Sequence, residues 1–202
     1  MNASETIATA IAVLSLVISA STAWLTLFKR GRLRMTRPNI IGFAKDGFTP
    51  KLFLRFLLHS TARRGNLVED MYVILVKGSD KVTLSIWGYG DSQQSLVRGS
   101  GLFVGPAGVA VNHHFIARSE SDSIVEAGPC VIQVYASIAG KRRNQLLYSV
   151  ELNIEDNHAR EINSGNQGML YDWDAESRQY YPQMFMREPT FEDLSTFERR
   201  KY

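Results

Sequence analysis

The residues with catalytic or ligand-binding potential are few and poorly spaced for either task. His113 and His114 are adjacent, and adjacent side chains of a β-strand project to opposite faces, so the pair cannot bind one metal ion without a bulge. Gly99 and Gly101 resemble a phosphate-binding loop, but a strand pattern follows them instead of the helix that such loops require. Cys130 stands alone, which excludes an intrachain disulfide.

An acidic segment near the carboxyl end has the alternating carboxylates of a calcium-binding loop. Asp172, Asp174 and Glu176 occupy its odd positions. Ser177 stands in place of the turn glycine, and Gln183 in place of the bidentate glutamate. We therefore expect no metal ion, no other cofactor and no catalytic residue.

The amino-terminal segment has the length and composition of a membrane-spanning helix. Residues 6–28 carry no charge, and 23 residues in a helix are long enough to cross a hydrocarbon core of about 30 Å. A secretory signal would have a basic leader, whereas the residues before Thr6 include Glu5 and no basic residue. The sequence predicts residues 1–28 to be an exterior stub and a transmembrane helix.

The net charge of +3 comes from one short cluster of basic residues that directly follows this segment in the chain. Residues 38–202 contain 18 basic and 19 acidic side chains, so no globally basic face is expected and nucleic acid is not an expected partner. Basic residues near a span stay on the cytoplasmic side, so the amino terminus is predicted outside a bacterial inner membrane and the remainder in the cytoplasm. A single unpaired cysteine agrees with that compartment. The cluster forms a linker over residues 29–37, with Lys29, Arg30, Arg32, Arg34 and Arg37 placed to meet lipid headgroups.

Small and hydroxyl side chains recur along one stripe of the predicted span. Small residues let helix backbones approach closely in lipid, so the stripe indicates self-association or docking on a partner helix. Its members are Ala8, Ala12, Ser15, Ser19, Thr22 and Thr26.

Beyond Pro38 the apolar period changes to two, which is typical of β-strands. Strands are predicted over residues 39–44, 51–60, 67–77, 81–87, 101–104, 109–117, 129–139 and 145–154. Such closely spaced strands, with no helical pattern among them, predict an antiparallel sandwich over residues 38–156. Composition agrees, because 45% apolar and 21% charged residues exclude collagen-like and disordered classes.

The segment from Glu126 to Ala136, its basic turn and the strand after it resemble the last two strands of immunoglobulin-like domains. The resemblance covers about thirty residues and implies a mainly β, immunoglobulin-like sandwich. The second cysteine and the cysteine-to-tryptophan spacing of antibody-type domains are missing, so it implies no function or partner.

Residues 157–202 are rich in aromatic side chains and are interpreted as a hairpin followed by a short helix near residues 189–201. This tail either covers the domain's own core or docks on another subunit. The residues that would make the contact are Tyr171, Trp173, Tyr180, Tyr181, Phe185, Phe191 and Leu194.

Two predicted turns carry most of the remaining clustered basic charge, and they could meet an anionic ligand or the membrane surface if they lie at one end of the domain. They contain Arg63, Arg64, Lys141, Arg142 and Arg143.

Taken together, these features predict a single-pass, non-enzymatic binding or scaffold protein that presents a cytosolic domain to a protein partner, to a second copy of itself or to both. Two alternatives remain open. One is a membrane-tethered sensor of a small anionic ligand, and the other is a hydrolase that uses His113 or His114 with a carboxylate from another strand.

Overall fold

A computed structural model describes residues 2–28, 31–46, 49–92, 95–99, 101–117, 125–164 and 168–185. The chain begins with helix α1, Ala3–Ala23, which continues as a π-helical turn over Trp24–Phe28. The backbone N–H of Asn2 donates a hydrogen bond of 3.0 Å to the Glu5 carboxylate, which favours helix initiation and places negative charge at the positive end of the helix dipole. The helix is long and apolar enough to cross a membrane over Ala3–Thr26, and none of its residues in Ala3–Ala23 is buried.

The rest of the described chain is mainly β. Its strands are β1 Leu33–Met35, β2 Ile40–Asp46, β3 Thr49–Ser60, β4 Asn66–Lys77, β5 Asp80–Tyr89, β6 Val97–Arg98, β7 Leu102–Val104, β8 Val109–Ala117, β9 Gly128–Ile138, β10 Gln145–Ile154, β11 Gly168–Asp174 and β12 Gln179–Phe185. Each of the eight strands predicted from the alternating pattern overlaps one of them.

All strand pairs are antiparallel and belong to one sheet in the order β10-β9-β4-β5-β8-β3-β2-β11-β12. The short strands β1, β6 and β7 pair with β3, β5 and β4 respectively. Gln145 of β10 donates a hydrogen bond of 3.0 Å to the Leu33 carbonyl of β1. The sheet therefore curls back towards its own first strand and is nearly barrel-shaped.

The core lies inside this curled sheet. Strand β4 is an interior strand between β9 and β5, and apolar side chains occupy both of its faces over residues 71–76, as is usual for a strand covered on both sides. Its Met71, Val73 and Leu75 side chains are buried, and they alternate with partly exposed neighbours. The predicted hairpin of β9 and β10 is present, with Ile132 opposite Val150.

Three short elements were not predicted from the sequence, and one of them is β6, Val97–Arg98, which pairs with β5. Strand β1 lies within the stretch interpreted as a linker, and its Leu33 and Met35 side chains are buried. Helix α2, which spans Asp156–Ser164 directly after the last predicted strand, was not predicted from the sequence. Its buried face contains His158, Ala159 and Ile162. Nine residues are too few to show more than about two turns of helical periodicity, and tertiary burial of that face stabilises such a short helix.

A glycine in β2 lets an aromatic ring lie flat over the backbone. Gly42 pairs with Phe53 of β3, and a Cβ atom at Gly42 would lie 1.8 Å from the Phe53 Cζ atom. Phe53 is itself buried against Ile40 and Leu170. A side chain at residue 42 therefore displaces a packed ring.

The substitution Gly42→Ala is expected to lower the free energy of unfolding by about 1–3 kcal/mol, the usual effect of overpacking a core. Urea unfolding of the full chain, followed by tryptophan fluorescence, measures the change. Gly105→Ala is the matched control, because the nearest atom to its added Cβ lies 3.9 Å away. Equal unfolding midpoints for the two variants would contradict this account of Gly42.

Candidate functional site

Strand register brings the two basic turns to one end of the sheet. Strands β3 and β4 are joined by residues 61–65, and β9 and β10 by residues 139–144. Val68 near the start of β4 pairs with Ile138 at the end of β9, and the Ala139 N–H donates a hydrogen bond of 2.9 Å to the Leu67 carbonyl. The two turns are therefore neighbours, as the sequence interpretation required for a common anionic contact.

Strand β1 brings Arg32 and Arg34, which follow α1 in the chain, to the same end of the sheet. Leu33 pairs with Ser60. The Arg32 N–H donates a hydrogen bond of 2.8 Å to the Thr61 hydroxyl, and the Thr61 N–H donates one of 3.1 Å to the Arg32 carbonyl. We call the seven side chains gathered here the basic end. They are Arg32, Arg34, Arg63, Arg64, Lys141, Arg142 and Arg143.

The basic end concentrates exposed positive charge. All seven side chains are exposed, and segments 31–34, 61–65 and 139–144 contain no acidic residue. Within the described ranges none of the six arginines forms an ion pair, while the Lys141 ammonium donates a hydrogen bond of 3.1 Å to the Gln145 side chain. Guanidinium groups in this state are suited to phosphate or carboxylate groups on a partner.

Exposed apolar side chains, which the sequence interpretation missed, flank the basic end. Leu67 of β4 and Phe103 of β7 lie opposite each other in register and are 47% and 62% exposed. Leu146, which follows the basic turn of residues 139–144, is 47% exposed. The Phe103 ring lies against Gly65, where a Cβ would come within 2.6 Å of the ring. The sequence could not predict that Leu67 and Phe103 face solvent, because a short apolar run does not show which of its side chains the tertiary structure buries.

A cleft of about 580 Å³ opens between α1 and the basic end. Leu25 and Thr26, near the end of the apolar helix, line one part of it. Arg32, Ala62 and Arg63 are among the residues that line the other part. The cleft therefore combines apolar and cationic surface at the point where the helix meets the sheet.

The remaining members of the predicted basic cluster differ in position. The Arg37 guanidinium lies 3.7 Å from the centroid of the Trp173 ring. Arg37 thus contributes a cation–π contact to the folded domain. Lys29 and Arg30 lie outside the described residues.

Part of the aromatic tail packs on the domain itself. Tyr171 is buried and meets Phe43 edge-on at 6.0 Å, and Trp173 meets Tyr180 at 5.0 Å. The Tyr180 hydroxyl donates a hydrogen bond of 2.7 Å to the Pro38 carbonyl. The side chain of Phe185, together with Phe191, Leu194 and the predicted short helix, lies outside the described residues. Tyr181 of β12 is exposed.

The two adjacent histidines face opposite sides of β8. His113 is fully buried, its ring stacks on Phe56 at 4.0 Å, and its Nδ1 atom lies 3.0 Å from the Val111 carbonyl. His114 lies 6.1 Å from the Phe53 ring and is partly exposed. Burial lowers the pKa of His113 to about 3 and that of His114 to about 4. Both rings are therefore neutral near pH 7.

The carboxylates beside these elements are committed to structural contacts. Asp91 accepts hydrogen bonds from the Arg55 guanidinium at 2.6 Å and from the Asn112 N–H at 3.1 Å. Asp174 accepts from the N–H groups of the turn before β12, and Asp172 accepts from the Gln183 amide at 2.9 Å. Among the described residues, no group of three His, Cys, Asp or Glu side chains is placed to hold a metal ion.

The predicted seam of α1 lies on an exposed helix. Two of its hydroxyl groups donate within the helix, Thr22 to the Ile18 carbonyl at 2.8 Å and Thr26 to the Thr22 carbonyl at 2.7 Å. Those protons are already in use, so the stripe offers a partner helix close approach at these two positions rather than donated hydrogen bonds.

The chain matches no protein-family model, no curated protein and no solved structure.

The burial of two histidines makes the stability of the domain depend on pH. Their folded pKa values lie below the unfolded value of about 6.5. As the pH falls below that value, the unfolded state therefore binds more protons than the folded state does. Their stabilising effect is complete above that value and declines by up to about 1.4 kcal/mol per pH unit for each histidine below it. Unfolding measured between pH 7 and about pH 5 is expected to show this decline.

His113→Phe keeps a ring against Phe56 and removes one of the two titrating groups. Its free energy of unfolding is expected to fall less steeply with decreasing pH than that of the unsubstituted chain. Phe56→Leu is the matched control, since it weakens packing and keeps the histidine, so its pH slope stays steep. A slope for His113→Phe equal to that of the unsubstituted chain would show that His113 is not buried in its neutral form.

Proposed function

We propose that this chain is a single-pass membrane protein whose β-domain acts as a binding or scaffold module in the cytosol. The observation that carries the proposal is the state of α1. Its apolar side chains, among them Ile11, Leu16 and Val17, remain more than half exposed. An apolar helix that satisfies its own backbone and packs on no other part of the described chain is suited to hydrocarbon surroundings.

The direction of insertion is argued from charge. Five basic residues follow the apolar segment within nine positions and none precedes it, so the positive-inside tendency favours an external amino terminus. The buried, unpaired Cys130 agrees with a reducing cytosol, and burial raises its pKa to about 11, which keeps the thiol unreactive.

We further propose that the curled sheet is arranged as an immunoglobulin-like sandwich with an open edge for a protein partner. Strand β12 ends the strand order, and its only pairing among the described residues is with β11. Tyr181 and Met184 on this strand are exposed. An edge strand with exposed apolar side chains can accept a strand from a partner, with the main chain supplying affinity and side chains supplying specificity.

The hydrolase alternative is less well supported by the geometry. A general base has to reach both substrate and water, whereas His113 is fully buried and stacked on an aromatic ring. Its neighbouring carboxylate, Asp91, is paired with Arg55. The anion-sensor alternative draws on the basic end, where exposed arginines are available to any anion.

The first test concerns placement in the membrane. The full chain is expected to remain with membranes after carbonate extraction, because the apolar helix is held by hydrocarbon rather than by charge. Protease added to intact spheroplasts is expected to leave the β-domain uncut and to digest it after lysis. Release of the chain by carbonate would contradict the anchor, and digestion on intact cells would contradict the orientation.

The second test concerns self-association through α1. Ser15→Leu combined with Ser19→Leu places bulk on the predicted seam and is expected to reduce cross-linked oligomers of the full chain in membranes. Ala10→Leu combined with Ser21→Leu adds similar bulk on the opposite helix face and is expected to leave cross-linking unchanged. If both double variants cross-link like the unsubstituted chain, the seam does not mediate association.

A further inference from the structure

The basic end lies where the apolar helix joins the sheet. The cleft between them is lined by Leu25 and Thr26 of the helix and by Arg32 and Arg63 of the basic end. A chain that leaves a bilayer through α1 therefore presents this end of the sheet first to the lipid headgroups. In that placement the cationic side chains of the basic end lie on the side of the domain that faces the headgroups.

The apolar side chains at this end match the same environment. Beyond residue 28, the described residues include six large exposed apolar side chains, and three of them, Leu67, Phe103 and Leu146, flank the basic turns. Membrane-surface sites combine basic residues, which meet anionic headgroups, with aromatic or aliphatic residues that enter the headgroup and acyl boundary. A soluble anion would use the charges and leave the apolar side chains unexplained.

The opposite end of the domain has a different character. The β4–β5 turn and α2 lie there, and the Lys77 ammonium and the Glu126 carboxylate form an ion pair nearby. Lys45 donates a hydrogen bond of 3.3 Å to the Asn163 carbonyl of α2. Basic side chains named here have partners within the domain, whereas the arginines of the basic end have none among the described residues.

We infer that the basic end, with Leu67, Phe103 and Leu146, is a docking surface for the anionic phospholipids of the leaflet that α1 enters. This inference rests on the proposed function, since it requires α1 to span the membrane. Docking holds the sheet upright, with α2 and the β4–β5 turn directed away from the bilayer. Strand β12, the proposed partner-binding edge, is then held at a fixed distance from the membrane.

The experiment measures the distance of each end of the domain from the lipid surface in the full chain. The chain is reconstituted in vesicles of phosphatidylcholine and phosphatidylglycerol that contain a headgroup spin-labelled lipid. A fluorophore is attached through Ala107→Cys, in the exposed turn beside the basic end, or through Ser79→Cys, in the exposed β4–β5 turn. The native Cys130 is buried and its thiol pKa is raised to about 11, so labelling occurs at the introduced cysteine.

Quenching is expected to be several-fold stronger at residue 107 than at residue 79. It is expected to weaken markedly at residue 107 when neutral lipid replaces phosphatidylglycerol, and with added salt, because charge attraction to the surface is screened. Arg142→Glu combined with Arg143→Glu, or Phe103→Gln alone, is expected to have the same effect. Lys81→Glu combined with Arg160→Glu reverses two exposed charges away from the basic end and is expected to change nothing.

Equal quenching at residues 107 and 79 would overturn the inference. So would quenching at residue 107 that changes neither with lipid charge, nor with the Arg142 and Arg143 substitutions, nor with Phe103→Gln. Carbonate extraction of the same vesicles separates the two proposals. A chain that is washed off contradicts the membrane anchor itself. A chain that resists extraction, yet shows equal quenching at both ends, retains the anchor and contradicts docking alone.

Discussion

The apolar surface of α1 is the constraint on which the placement of this chain depends. The buried core of the protein is formed by the β-domain, while the helix contributes no buried residue between Ala3 and Ala23. Burying a side chain such as Ile11 or Leu16 in apolar surroundings is worth about 1.5–3 kcal/mol, so a helix of this composition strongly favours hydrocarbon over water. A bilayer supplies those surroundings without any further protein contact, and the helix already satisfies its own backbone. The placement that we propose for the sheet follows from this helix.

Antiparallel register decides which residues meet at the end of the sheet beside α1. The pairing of Leu33 with Ser60 and of Val68 with Ile138 brings three separate segments to one end. A shift of one residue in any of these pairs would exchange the buried and exposed faces of the strand, so burial of the core also specifies where the turns lie. Charge at the basic end is therefore held in place by apolar packing elsewhere in the sheet.

The side chains that could have done chemistry are used instead to stabilise the fold. Asp91 bonds Arg55, Asp174 accepts from the turn before β12, and the ring of His113 stacks on Phe56. A buried neutral histidine and carboxylates that already accept hydrogen bonds are poorly placed for proton transfer with a substrate.

Local pattern was sufficient for the apolar helix and for eight strands, because hydrophobic periodicity and length report directly on helix and strand formation. It did not predict β1 or α2, whose few residues are too short for a periodic signal and depend on burial in the sheet, as the buried Leu33 and Ile162 show. The basic turns were recognised from composition, but their meeting depended on strand pairing between residues far apart in the chain. Tertiary structure alone placed Phe103 on the surface beside Gly65, since a short apolar run reads the same whether its side chains face a core or solvent. The sequence by itself determined that the chain has an apolar helix long enough to cross a membrane and a β-domain, and only the folded sheet decided which end of that domain lies beside the helix.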